Sequence, residues 1–224
     1  AKYEFQLDFD ARYGIHTQGD PTTATNRHTL EIEQKIESTE EWTTVFGLRA
    51  EVEAAYAADP DRYGKGDVAK RDSQIFLPRE NYIQYKSRNL RTRVGYQQVV
   101  WGETFGYYYA DIVNPKDYRE AGLGDLSRNR LATPMLNTQW IYSDSSFQLI
   151  YIPKANYSLL PSYGSDFNTF TVPSTVPSFS MNRNPRNPLT RAEYGLRYSK
   201  QISGVDLSGF YLNYYDRVPV LKVD

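Results

Sequence analysis

From Lys2 to Tyr13 the chain alternates without a break. Tyr3, Phe5, Leu7, Phe9, Ala11 and Tyr13 fall on one side, and Lys2, Glu4, Gln6, Asp8, Asp10 and Arg12 fall on the other. A period of two sustained over this length predicts a β-strand with one apolar and one charged face. The same pattern returns along the chain. His28, Leu30, Ile32 and Ile36 interleave with Glu31, Glu33, Lys35 and Glu37, and Trp42, Phe46, Leu48, Ala50, Val52 and Tyr56 with Thr43, Arg49, Glu51 and Glu53. Leu90, Val94, Tyr96 and Val100 face away from Arg91, Arg93 and Gln97, while Leu136, Trp140 and Tyr142 oppose Asn137 and Gln139. Ala192, Tyr194, Leu196 and Tyr198 oppose Glu193, Arg197 and Gln201. Weaker strands fit near Glu80–Lys86, Phe147–Pro153 and Val205–Tyr215, and no stretch holds a helical period.

The connections alternate between two sorts. Short turns are expected at Ser38–Glu41, Ser87–Asn89, Asp144–Ser146 and about Ser203–Gly204; long segments fall at Gly14–Asn26, Ala57–Ser73, Gly102–Pro134 and Lys154–Arg191. With antiparallel strands, all short turns lie at one end of the sheet and all long loops at the other, the asymmetry of an outer-membrane barrel. A soluble β-sandwich also alternates, but its strands usually run about 5–6 residues, whereas tilted strands of roughly 9–11 cross a bilayer. Tyr3 and Tyr13, like Trp42 and Tyr56, sit at opposite ends of their strands on the apolar side, as two interfacial girdles require. The pattern therefore predicts an all-β fold, a transmembrane antiparallel up-and-down β-barrel in a single domain over residues 1–224 with about nine strands. Single-chain bacterial barrels have even strand numbers, so an odd count, with Val218–Asp224 leading into a loop, makes these strands the N-terminal part of a larger barrel.

Composition narrows the partners. Twenty-six basic residues balance 27 acidic ones, which gives no reason to expect nucleic acid. The chain has no cysteine, so disulfides, thiolate zinc sites and iron–sulfur clusters are excluded. A negative mean hydropathy and the lack of a long apolar run exclude a helical membrane protein. The 20 tyrosines and an aromatic share of 15% argue against disorder.

The run Arg93-Val-Gly-Tyr-Gln-Gln-Val-Val-Trp-Gly-Glu103, followed by Asp111-Ile-Val-Asn-Pro-Lys-Asp-Tyr-Arg-Glu120, Leu149-Ile-Tyr-Ile-Pro153, Leu160-Pro-Ser-Tyr-Gly-Ser-Asp-Phe167 and Val218-Pro-Val220, resembles an uncharacterised family of Gram-negative outer-membrane proteins. The resemblance covers about residues 80–224, with residues 1–79 matching in general barrel character alone. It implies a porin-like barrel of the outer membrane, often encoded beside exporters of the resistance–nodulation–division type, with no established substrate. It carries over no catalytic residue.

The residues expected to line a polar lumen are Glu31, Glu33, Lys35, Arg49, Glu51, Glu53, Arg91, Arg93 and Gln97. Their opposed signs would polarise the pore, unless they pair across strands and only solvate the wall. The segment after β-strand residue Val100 holds Trp101, Gly102, Glu103, Asp111, Asn114, Asp117 and Arg119. A loop of roughly 30 residues is longer than loops without function usually are, and here it is expected to fold inward as a constriction, with capping of the rim as the alternative. Leu159, Leu160, Tyr163, Phe167 and Phe170 make the fourth long loop apolar, as a greasy access route or as packing. Asp59-Pro-Asp-Arg-Tyr-Gly64 starts like a calcium loop, but Tyr63 and Lys70 replace required ligands. Arg183, Arg186 and Arg191 could grip lipopolysaccharide phosphates. The only histidines, His16 and His28, lie in no catalytic motif, so no enzyme, metal or cofactor is expected. The function expected is movement of a small or hydrophobic solute across the outer membrane, in contact with lipid and lipopolysaccharide and with an inner-membrane exporter or periplasmic protein as partner. A surface adhesin or docking barrel acting through its long loops is the alternative.

Overall fold

The computed structural model describes residues 1–15, 23–58, 73–101, 111–120, 128–161, 167, 179–181, 192–218 and 221–223. The fold is all-β. Its strands are β1 (Lys2–Ile15), β2 (Thr23–Glu37), β3 (Trp42–Glu53), β4 (Gln74–Pro78), β5 (Asn81–Lys86), β6 (Leu90–Gln97), β7 (Thr133–Ile141), β8 (Ser145–Ile152), β9 (Phe179–Met181), β10 (Glu193–Ile202), β11 (Val205–Asn213) and β12 (Leu221–Val223), with one short helix, α1 (Ala54–Ala58). No helix among the described residues is long and apolar enough to cross a membrane.

Ten strands form one sheet in the order β1-β2-β3-β5-β6-β7-β8-β10-β11, with β4 also on β3. All strand pairings in it are antiparallel, each strand lying beside the one before it in the sheet's chain order except where β5 joins β3 past β4 and β10 joins β8 past β9, with short turns and long connections alternating. The tightest, Ser203-Gly204, has both residues at positive φ (51° and 83°), as a two-residue hairpin turn demands. Strands β4 and β5 share one edge of β3: β4 meets Leu48–Val52 and β5 meets Trp42–Val45. They are one strand broken at Arg79–Glu80, so nine positions span the sheet. The Asn81 side chain bridges the break, donating to Gly47 O at 2.6 Å and accepting from Gly47 N at 3.2 Å. Among the described residues β1 pairs with β2 alone and β11 with β10 alone, so the sheet is open at both edges.

Three details depart from the sequence pattern. The third strand ends at Glu53 instead of running through Tyr56, which lies buried in α1; the Ala-rich Ala54-Ala55-Tyr56-Ala57-Ala58 run favours a helical turn over a strand. The strand β4 is too short and Pro-terminated to stand out by alternation. Val218–Asp224 contains β12, which pairs with β9 in a separate two-stranded sheet.

Candidate functional site

Burial in this sheet is inverted. Phe5 and Phe9 are each 67% exposed, and Leu7, Tyr13, Phe46, Phe76, Val94 and Tyr198 stand in the same condition. On the other face Arg27, Arg49, Glu51, Glu53, Gln97 and Glu193 are buried. The register carries both faces across strands. Asp8, Glu31 and Arg49 align on the polar side, and Leu7, Ile32 and Leu48 on the apolar side. Two aromatic rows cross the apolar side. Trp42 and Tyr85 meet at 5.0 Å, and Trp140 and Phe147 at 5.7 Å, near the short turns; Tyr194 and Tyr211 meet at 6.4 Å near the long connections.

Residues 111–120 lie against the polar face at its long-loop end. Arg119 binds Asp117 and donates to Glu51 at 2.6 Å. Glu120 accepts from Arg12 at 2.6 Å and lies 3.3 Å from Arg27, which also contacts Glu53 at 3.4 Å. Asp111 receives both Lys116 and Arg130 at 2.6 Å. Asn114 accepts from Val99 N at 2.7 Å and donates to Gln97 O and Leu131 O at 3.0 Å each. Arg217 pairs with Glu193 at 2.7 Å and donates to Val113 O at the same distance. A small apolar cluster of Val99, Trp101, Val113, Met135, Ile150 and Ile152 packs beneath. Gly195 makes room for it, since a Cβ there would stand 2.5 Å from the Trp101 ring.

These contacts shift the ionisable groups of the segment. Burial would push the Asp117 carboxyl up, yet the bonds from Arg119 hold it below the usual carboxylate range. The Glu120 carboxyl is pushed up by burial, against the pull of Arg27 and Arg12. Burial likewise pushes the Lys116 ammonium down, despite Asp111. Arg119 is buried too, but Asp117 and Glu51 strengthen its hold on the proton.

All nine residues expected on the polar side share it: Glu31, Glu33 and Lys35 on β2, Arg49, Glu51 and Glu53 on β3, and Arg91, Arg93 and Gln97 on β6. Their surroundings differ. Arg49 pairs with Glu31 at 2.8 Å, so on β2 and β3 the opposite signs do meet across strands. Gln97 is fully buried and donates to Met135 O at 3.0 Å, a structural bond within the sheet. Arg91 and Arg93 form no ion pair among the described residues. Of the expected loop residues, Trp101, Asp111, Asn114, Asp117 and Arg119 come together, whereas Gly102 and Glu103 lie outside the described residues. So do His16, the Asp59–Gly64 run with Lys70, Tyr163, Phe170, Arg183, Arg186 and Arg191. Leu159 packs as backbone beside the segment, accepting from Tyr118 N at 2.8 Å and donating to Lys116 O at 2.9 Å.

Sequence reasoning placed Arg12 and Glu193 on charged strand faces and Glu120 in the long loop, but did not single out Arg27 or Arg217. Alternation carried back from Glu31 through Thr29 could have found Arg27, which lies on the same side of β2. Nothing local signals that Glu193 and Arg217 meet across 24 residues of chain.

The fold and site define a class: an antiparallel sheet with its apolar face outward and an ion-paired chain segment seated on its polar face. Residues 8–223 match the family described as Protein of unknown function (DUF1302), and the chain belongs to that family. The match starts far upstream of residue 80, so the first strands share in the likeness that the motifs carry. No curated protein matches the chain.

Proposed function

We propose that the protein is a porin-like outer-membrane channel, in which the described sheet is part of the barrel wall and residues 111–120 narrow the lumen. The inverted burial carries this reading. A large exposed apolar face is an aggregation hazard in water, and in a bilayer it is the lipid-facing surface. Tyr3 and Tyr13 bound that face on β1, ten residues apart; at about 3.3 Å per residue and a tilt near 40°, they stand roughly 25 Å apart along the membrane normal, the height of a barrel's apolar band. The open edges of β1 and β11 then call for further pairing, because unpaired strand edges are not tolerated in hydrocarbon. Solute moves passively or with a partner. The family resemblance points to an inner-membrane exporter or periplasmic protein, and lipopolysaccharide borders the outer leaflet.

One observation favours the second reading, a surface adhesin or docking barrel: the segment is pinned by so many buried ion pairs that it resembles a fixed plug. Planar-bilayer recording of the full-length protein separates the two. Discrete conductance steps are expected, larger when residues 111–120 are shortened. Silence from both proteins overturns the channel and leaves docking.

A further inference from the structure

The arginines of the polar face fall into two populations. Around β1–β3 each has a carboxylate: Arg12 with Asp10, Arg27 with Glu53, Arg49 with Glu31, Arg119 with Glu51. Across β6–β10 the register places Arg91, Gln139, Gln148 and Arg197 in one row, with Arg93 and Asn137 in the next. Arg91, Arg93 and Arg197 have no ion pair among the described residues, and Arg91 Nε and Arg197 Nε are buried with no hydrogen-bond partner. Three amide oxygens nearby are already engaged. Gln84 accepts from Arg93 at 2.7 Å, Gln148 from Trp101 at 2.9 Å, and Asn137 from Gln148 at 2.9 Å. What remains open in the row is the donor capacity of Arg91 and Arg197, beside the amide of Gln139. Glu80 approaches this stretch through Gln98 N, from which it accepts at 3.2 Å.

The row borders a cavity of about 150 Å³ lined by Arg91, Arg93, Gln139 and Gln148 together with the apolar Val99 and Val100. A second cavity of about 370 Å³, toward the short turns, reaches Arg197 past Ser146, Ser199 and Ser208, with Asp144, Asp206 and the Asp144-paired Lys200 at its outer end. The two cavities lie on the same polar face, linked in register by Arg197 beside Gln148, and the smaller one sets forked donors beside Val99 and Val100.

We propose that this stretch is a binding subsite for the carboxylate of an organic anion with an apolar body. Guanidinium forks match a planar carboxylate bidentately, and Val99 and Val100 receive the hydrocarbon. Arg93, held over the Tyr82 ring at 4.9 Å, is oriented in advance. The subsite names the solute class of the channel; only the claim that the anion is in transit rests on that reading.

The test is isothermal titration of the full-length protein in neutral detergent with hexanoate, hexanol and inorganic phosphate. Hexanoate should bind in preference to both. Arg91→Gln with Arg93→Gln should weaken it roughly ten- to hundredfold, as loss of charged hydrogen bonds does, while Lys2→Gln at the exposed start of β1 leaves it unchanged. Arg91→Lys, which keeps the charge and removes the fork, should also weaken it and serves if the double variant does not fold. Undiminished hexanoate binding in these variants overturns the proposal, as does equal affinity for phosphate or hexanol. In bilayers hexanoate should block current in the unaltered protein and not in the double variant. Hexanoate binding by a protein that never conducts would remove the channel and retain the subsite.

Discussion

Arg119 donates through Nη2 to Glu51 Oε2 at 2.6 Å, joining a loop to β3 across 68 residues of chain. Both side chains are buried, so removing either one leaves the other's charge short of a close partner. Breaking such a pair from one side costs about 3–5 kcal/mol. Arg119→Ala should therefore lower the denaturation midpoint and open residues 111–120 to protease. Since Glu51 also lies 3.8 Å from Arg27 and 3.7 Å from Arg49, Glu51→Gln should loosen the whole cluster, and the two substitutions should combine to less than their sum.

Asn114 is a second anchor of a different kind. Its amide closes three hydrogen bonds to backbone while 1% exposed. Asn114→Ala should cost on the order of 3 kcal/mol by leaving buried groups unmet. Asn114→Asp should cost more, because a carboxylate oxygen would face the carbonyls of Gln97 and Leu131. Urea titration of the two variants orders them; equal stability of alanine and asparagine would refute the role.

Acid should act on the seated segment in two opposed ways. The lowered Asp117 stabilises the seating above the ordinary carboxylate value of about 3.9, and this is lost as pH falls through its lower folded value. The raised Glu120 has the opposite sign: its contribution weakens as pH rises from about 4.3 through the higher folded value. Protection of the 111–120 amides in hydrogen exchange, corrected for intrinsic rates, should hold or improve from pH 7 to pH 5 and collapse below about pH 3.9. A loss already complete at pH 5 would contradict this assignment.

The two faces of β1 should respond oppositely to one charge. Phe9→Arg puts a guanidinium on the exposed apolar face, which in the proposed bilayer setting should cost about 2–4 kcal/mol near the membrane centre. Gln6→Arg, on the polar face, should be close to neutral. Folding titrations into lipid vesicles measure the difference, and equal tolerance would argue that the apolar face meets no lipid.

Gly95 tests the sheet itself. Its φ is 131°, and a Cβ there would sit 2.1 Å from Asn81 O. Any L side chain forces β5 and β6 apart, so Gly95→Ala should sharply reduce the yield of folded protein on refolding.

The strands were legible because alternation is a local property: the faces of β1, β2, β3, β6 and β10 can be read from adjacent residues. The nine-position sheet follows from those faces and the short turns. The break between β4 and β5 was not legible, since it depends on Asn81 reaching Gly47, and neither residue signals the other. The loop residues Asp111, Asn114, Asp117 and Arg119 stood out by type, but their partners lie elsewhere in the chain: Glu51 on β3, Val99 just past β6 and Leu131 just before β7. Tyr56 misled because its alternate position fits a strand as well as a helical turn.

The long register of β1 on β2, from Lys2 with Glu37 to Gly14 with Thr25, bears on how the sheet is assembled. Sliding β1 by one residue would turn Lys2, Glu4, Gln6, Asp8, Asp10 and Arg12 onto the apolar face together. Mispaired strands are thus penalised all at once and along their whole length, so that the same alternation that shapes the finished sheet also proofreads its pairing as it forms.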